Sequence, residues 1–296
     1  MSNLVPVRHV SVLPQEVLHG LDPQPGQILV DCTTGVGGHT QLLAERVAPT
    51  GLVLALDQDA TMLEHARVRL EGLPVAFFHA PFDHIEAVLA QRGLARVDGV
   101  LADLGICSDQ LDAAERGFSF SQEGPLDMRM NREDTETAAE MIHRLPERDL
   151  ADLIYRYGEE RFSRRIAKRI VEDRKKTRFT STTQLADLVR RCVPRSGNID
   201  PATRTFQALR IAVNDELGAL ERLLAALPHV VRPGGVAGLI SFHSLEDRLV
   251  KQAFRQAEIW HEITRKPVTA RAEEMASNPR SRSAKLRLAR RKEATT

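Results

Sequence analysis

Asp31, Asp57, Phe82 and Asp103 recur at about the spacing of successive strand–helix units, and a glycine loop, Gly35-Val-Gly-Gly38, follows the first of them. The loop joins an apolar run, Ile28-Leu-Val-Asp31, to Gln41-Leu-Leu-Ala-Glu-Arg46, which has helical character. A strand, a tight turn and a helix start in that order present backbone N–H groups and the positive end of a helix dipole to a ligand. A carboxylate some 20 residues after such glycines suits the two hydroxyls of a ribose, and Val53-Leu-Ala-Leu-Asp57 ends in one. The expected ligand is a nucleoside-containing cofactor. A dinucleotide fingerprint would carry a third glycine at position 40; this chain has Thr40 there and places its extra glycine at Gly38. Asp31, beside the turn, would repel a pyrophosphate and attract an ammonium. The residues therefore favour S-adenosyl-L-methionine (SAM), which has an amino group and no phosphate. NAD stays open, and so does a loop that merely turns a corner.

Elements of alternating type must position these residues. Strands are expected over 28–31, 53–57, 75–78 and 97–102, with helices over 15–20, 60–70 and 83–91; Pro14 fits a first helical position and Gly20 a helix end. Short links between alternating strands and helices imply a parallel sheet, whose ligands bind at the carboxyl ends of the strands. Asp31, Asp57, Phe82 and Asp103 all fall at such ends. The alternation stops after Ser108, and residues 111–205 offer no convincing strand. Thr137-Ala-Ala-Glu140 and Ser181-Thr-Thr-Gln184 fit capping boxes, Pro146 opens a helix reaching Tyr157, and 161–175 is helical and strongly basic. This block reads as a helical insertion. Arg164, Arg165, Lys168, Arg169, Arg174, Lys175, Lys176 and Arg178 make it either a solvated charged face or a nucleic-acid surface. The parallel pattern resumes after one long helix over 206–227, with a turn at Pro233-Gly-Gly235, a fifth strand over 236–242 and a helix capped by Ser244-Leu-Glu-Asp247. In the basic tail, Leu286 and Leu288 alternate with Lys285 and Arg287, as a last edge strand with a basic exposed face would require.

The balance of 41 Lys and Arg against 40 Asp and Glu leaves a formal charge of +1, so any footprint for nucleic acid must be local. A hydrophobic content of 42% supports a full core, and 4% aromatics argues against a stacking platform for single strands. Cys32, Cys107 and Cys192 have no zinc or redox spacing and suit a reducing cytoplasm. The first residues lack an apolar signal core and no apolar run is long enough to span a membrane, so no membrane association is expected. No ligand set for a metal stands out, and none is expected.

Longer blocks carry more information. Arg116-Gly-Phe-Ser-Phe120, Gly124-Pro-Leu-Asp-Met-Arg-Met130, Tyr157-Gly-Glu-Glu160 and Thr203-Arg-Thr-Phe-Gln-Ala-Leu-Arg210 precede Ser241-Phe-His-Ser-Leu-Glu-Asp-Arg248 and Asn278-Pro-Arg-Ser-Arg-Ser283. With the stretches from His9 to Pro14 and Asp31 to His39, these closely resemble the RsmH/MraW family of ribosomal small-subunit RNA cytosine-N4 methyltransferases, in the same order and over almost the whole chain.

The resemblance implies a Rossmann-like class I SAM-dependent methyltransferase fold (α/β) with an inserted all-helical domain. The methyltransferase domain would comprise 1–110 and 206–296, and the inserted rRNA-recognition domain 111–205. It implies methyl transfer to the exocyclic N4 of one cytosine of 16S rRNA, position 1402 in usual ribosomal numbering, at the decoding centre of the small ribosomal subunit in the bacterial cytoplasm. The family's SAM contacts fall on Gly37, Gly38, His39, Asp57, Phe82, Asp103 and Gln110; His39 and Gln110 come from the resemblance alone. Asp103 is the first candidate for a catalytic group and His243 a second, with plain packing the stronger reading for His243. Amino-methylating DNA enzymes carry an Asn/Asp-Pro-Pro-aromatic motif where this chain has Asp103-Leu-Gly-Ile. The family's usual Ser-Ser after that segment is here Cys107-Ser108, and Cys32 replaces a small residue. A covalent C5 mechanism through Cys107 is disfavoured, because neither a preceding proline nor an adjacent base accompanies it. Two rival functions remain: a catalytically inactive RNA-binding or ribosome-assembly protein on the same fold, disfavoured by the three strand-end acids, and an NAD-linked oxidoreductase, disfavoured by the missing glycine.

Overall fold

A computed structural model describes residues 10–195 and 199–293, with the backbone alone at Ser108. His9, which begins the first family block, lies outside the described residues. The described residues form two compact units, one holding those through Gly105 and those from Leu217 onward, the other those between Ile106 and Glu216.

The first unit opens with α1 (Pro14–Leu21), then β1 (Ile28–Asp31), α2 (Gly38–Val47), β2 (Leu52–Asp57), α3 (Ala60–Arg69), β3 (Val75–His79), α4 (Ile85–Gln91) and β4 (Val97–Asp103). The second unit contributes α5 (Ser108–Asp112), α6 (Ala138–Arg144), α7 (Glu147–Gly158), α8 (Ser163–Asp173), α9 (Thr182–Cys192) and α10 (Thr203–Val213). The first unit then resumes with α11 (Glu216–Val230), which starts on the second unit's last residue. It continues through β5 (Val231–Ser241), α12 (Ser244–Phe254), β6 (Trp260–Glu262), α13 (Ala272–Ser277) and β7 (Lys285–Arg291).

The seven strands form one sheet in the order β3-β2-β1-β4-β5-β7-β6. The first five are mutually parallel and β7 runs antiparallel to both neighbours. The chain steps outward from β1 to β3 and then crosses back to β4, so the strand order reverses between β1 and β4. Such a switch point opens a crevice at the carboxyl ends of those strands. The central strands are apolar at consecutive positions because both faces are covered. Val30, Leu54, Val100 and Ala102 pack in one core with α4, α11 and α12. Their alternates Leu29, Val53 and Leu101 pack in the other with α1 and α2. This is the Rossmann-like α/β arrangement expected.

The second unit is helical, apart from an isolated bridge between Pro125 and Ser181, and has its own core, including Leu126, Met128, Ile142, Ile154, Ile166, Leu185 and Phe206. The expected insertion began at 111 and ended at 205; the unit runs from Ile106 to Glu216 because α10 packs on α7 within it. The long helix expected over 206–227 is two helices. The chain breaks at Asp215, whose φ of 47° no continuous helix accommodates, and Arg210 and Glu216 pair across the break at 2.8 Å.

Other expectations change in detail. Gly20 does not close α1: the helix continues to Leu21 and ends on Asp22 in the left-handed region. A Cβ at Gly20 would lie 2.2 Å from Leu288 Cδ1, so the glycine admits β7 against α1. The cap of α12 is His243, one residue earlier than expected, in a capping box with Glu246. The tail strand is not an edge. β7 lies between β5 and β6, and Arg287, rather than facing solvent, is 4% exposed with its Nε 2.6 Å from Asp247 Oδ1.

Candidate active site

The glycine loop folds as its residues require. Gly35 (φ 51°) and Gly37 (φ 88°) take left-handed backbone, and Gly37 caps α2. A Cβ on Gly38, the first residue of α2, would fall 2.1 Å from Ser11 Oγ. Asp31 underlies the loop. Fully buried at the end of β1, it accepts hydrogen bonds from Thr33 N (3.1 Å) and Thr40 Oγ1 (2.7 Å). Burial raises its pKa, against the lowering influence of His39, Thr40 and Thr33. Asp31 thus braces the loop, and its oxygens are engaged there.

Asp57 ends β2 one strand away. Its Oδ2 accepts from Gly35 N at 2.7 Å and its Oδ1 from Asp59 N at 2.9 Å. The first bond ties the strand tip to the glycine loop, and the second holds the turn into α3. Burial pushes its pKa up to about 6; the two N–H donors oppose the rise, and the charges of Asp59 and Asp31 add to it. A carboxyl raised toward neutrality by burial at a strand end is a candidate functional group.

At the end of β4, the Asp103 N–H donates to Thr33 Oγ1 at 2.6 Å, joining β4 to the loop after β1. Its Oδ2 lies 3.6 Å from Nε2 of buried His39, an ion-pair separation longer than a hydrogen bond. Burial lowers the His39 pKa, but Asp103 and then Asp31 outweigh it and the net direction is upward. Asp103 Oδ1 and Thr34 Oγ1 are buried without a hydrogen-bond partner, and the buried His39 ring has only the long approach to Asp103 and the Val12 backbone. Unsatisfied buried polar atoms are uncommon and call for an explanation; two at one switch point fit a polar ligand supplying the missing partners. Phe82 follows β3, half-buried against the core under the sheet tips.

The structure therefore brings Gly37, Gly38, His39, Asp57 and Asp103 to the strand ends of one unit, with Phe82 after β3. Gln110 belongs to the other unit, where its side-chain oxygen accepts from Cys107 N at 3.1 Å and Cys107 Sγ accepts from Gln110 N at 3.5 Å. Cys107 thus serves as a helix cap. His243 serves likewise, its Nδ1 accepting from Glu246 N at 3.4 Å. Thr33 and Thr40 were missed from the sequence. Their signal was the hydroxyls clustered around Asp31, legible only once the turn brings them back to it.

In the helical unit, Arg174 Nη1 donates to the carbonyls of Ile142 and Leu145, closing the end of α6. Among the described residues no helix is long and apolar enough to cross a membrane.

The model of the MraW methylase family matches residues 6–292. Ribosomal RNA small subunit methyltransferase H of Sorangium cellulosum is 53% identical over 96% of this chain and 91% of its own length. Its namesake from Synechocystis is 48% identical over 95% and 92%. Among solved structures, an rRNA methylase from Streptococcus thermophilus aligns over 98% of this chain and all of its own, at 10% identity and a TM-score of 0.41, a likeness too slight to bear on the site.

Proposed function

The chain belongs to the MraW methylase family, and from that premise we propose that it transfers a methyl group from SAM to the exocyclic N4 of one cytosine in 16S rRNA, at the decoding centre. The observation that carries the reading is the pair of buried, unpartnered polar atoms at the β1/β4 switch point, Asp103 Oδ1 and Thr34 Oγ1. The names of the Sorangium and Synechocystis relatives support a small-subunit rRNA substrate. A reaction on ribosomal RNA implies the cytoplasm.

The residues fit SAM. Gly38 and His39, in the first turn of α2, would turn backbone N–H groups to its polar end, with Gly37, whose own N–H donates to the Thr34 carbonyl, shaping the turn; the Asp57 carboxylate would accept from the ribose hydroxyls, and Phe82 would pack on the adenine. Gln110 is assigned to the same cofactor on the family resemblance. Bound there, SAM supplies an electrophilic methyl on a sulfonium.

Cytosine N4 is a weak nucleophile because its lone pair is delocalised into the ring. Asp103 Oδ1 would accept one amine hydrogen and so orient the lone pair out of the ring plane. With the S–CH3 bond breaking as the N4–CH3 bond forms, S-adenosylhomocysteine would leave and the N4 proton would pass to the Asp103 carboxylate. His39 holds that carboxylate in place from 3.6 Å. Catalysis is then positioning plus a preplaced charge.

Titration calorimetry tests the cofactor half. Heat on adding SAM, and none on adding NAD, is expected. No heat with SAM at millimolar concentration would remove the enzymatic reading and leave a ribosome-binding protein on the same fold.

A further inference from the structure

Two helix faces of the second unit leave a cleft that the strand-tip site does not use. Arg169 and Asp173 on α8, with Lys176 just beyond it, stand at helical spacing on one side; Gln184, Asp187 and Arg191 stand so on α9. Together with Thr177 and Phe179 they line a cavity of about 470 Å³, a size suited to a small ligand.

The charges in this cleft do not cancel. Asp173 is held by Arg169 at 3.1 Å, and Asp187 by Arg190 at 2.9 Å. Among the described residues neither Lys176 nor Arg191 has an acidic partner, and the two come from opposite walls. Arg165, Arg169 and Arg191 all lie near enough to the Cys192 thiol to oppose the rise that burial imposes on its pKa, so the cationic field reaches the base of α9. The neutral groups are donors as well. Gln184 Oε1 already accepts from Thr180 N (2.9 Å) and Ser181 N (3.2 Å), which leaves its NH2 to a ligand. Buried Phe179 supplies an apolar wall.

We propose that this cleft seats one nucleotide of single-stranded RNA, with Lys176 and Arg191 gripping its phosphodiester from the two sides. Two cations and two neutral donors match the oxygens of a phosphodiester. An apolar wall beside them suits a ribose or base face. The site rests on the rRNA reading above and deepens it: it fixes a nucleotide of the substrate strand other than the one methylated, and so contributes affinity rather than chemistry.

Binding of a synthetic decoding-region RNA, followed by fluorescence anisotropy over a series of salt concentrations, tests this. Lys176→Ala with Arg191→Ala is expected to raise Kd about tenfold at low salt. It should lower the slope of log K against log salt by about 0.7, the share of one single-strand phosphate. SAM affinity and Tm should stay at their wild-type values. The charge-keeping pair Lys176→Arg with Arg191→Lys should restore the slope, which a folding defect would not do. Wild-type Kd and slope in the alanine variant would overturn the cleft while leaving the methyltransferase reading intact. Failure of the wild-type protein to bind or methylate the RNA while still binding SAM would overturn the rRNA reading, and the cleft with it.

Discussion

If the Asp57 carboxylate holds the ribose, cofactor affinity must follow its titration. In the free protein this group has a pKa of about 6. At pH 8 about one chain in a hundred carries the proton, and at pH 5 about ten chains carry it for each that does not. Ribose hydroxyls donate to the ionised form and so favour it. The proton must therefore leave before SAM binds, and Kd should rise about elevenfold from pH 8 to pH 5, a loss of about 1.4 kcal/mol. The sign for stability is opposite. The folded value lies above the ordinary 3.8, so the stability this group contributes to the free protein is fully present below about 3.8 and is lost as pH rises through about 6. The loss is at most about 3 kcal/mol, and SAM binding offsets it. Asp57→Asn isolates the effect from His39 and Asp31. Its amide retains one acceptor but turns an NH2 toward Gly35 N–H or Asp59 N–H, so Kd at pH 8 should weaken by roughly 1.5–3 kcal/mol and the step between pH 8 and pH 5 attributable to this residue should vanish. Calorimetry at the two pH values reads both. A wild-type Kd independent of pH, or an Asn variant with the full wild-type step, would refute the assignment.

Cys107→Ser should leave activity near wild type, because serine also caps a helix and no thiolate step is used; activity loss with an RNA–protein adduct trapped in the wild type would contradict this. Arg287→Ala should destabilise the fold by about 1.5–3 kcal/mol in denaturant titration, since Asp247 loses its 2.6 Å partner and keeps only Lys285 at 3.5 Å; a surface-like change under about 0.5 kcal/mol would show the pair to be incidental. Charge reversal at exposed Arg164 and Arg165 should weaken RNA binding and flatten its salt dependence, and an unchanged slope would confine the RNA surface to other residues.

The strands β1 to β4 and the acids at their tips could be read from sequence because a doubly covered parallel strand is a plain apolar run, ended here by a charge. Features set by tertiary contact could not. β6 is three residues long, too short for any periodicity. The break at Asp215 lies in a run whose apolar pattern continues unbroken from α10 to α11. Gly20 read as a helix end when its lack of a side chain serves Leu288. Arg287 read as exposed because the sequence does not announce that Asp247, forty residues earlier, will face it. At the site, carboxylates and glycines were visible by type and spacing, whereas Thr33 and Thr40 act only through the turn that returns them to Asp103 and Asp31.

If acids on adjacent strand tips aim a sulfonium methyl at a cytosine amine, the modified base itself must show it. The measurement is nuclease digestion and mass spectrometry of 16S rRNA incubated with the protein and methyl-labelled SAM. The label should appear on N4 of a single decoding-centre cytosine, and Asp103→Ala should abolish it even at SAM concentrations that saturate the variant. Label on ring carbon, on another base, or none at all with SAM bound would contradict the account.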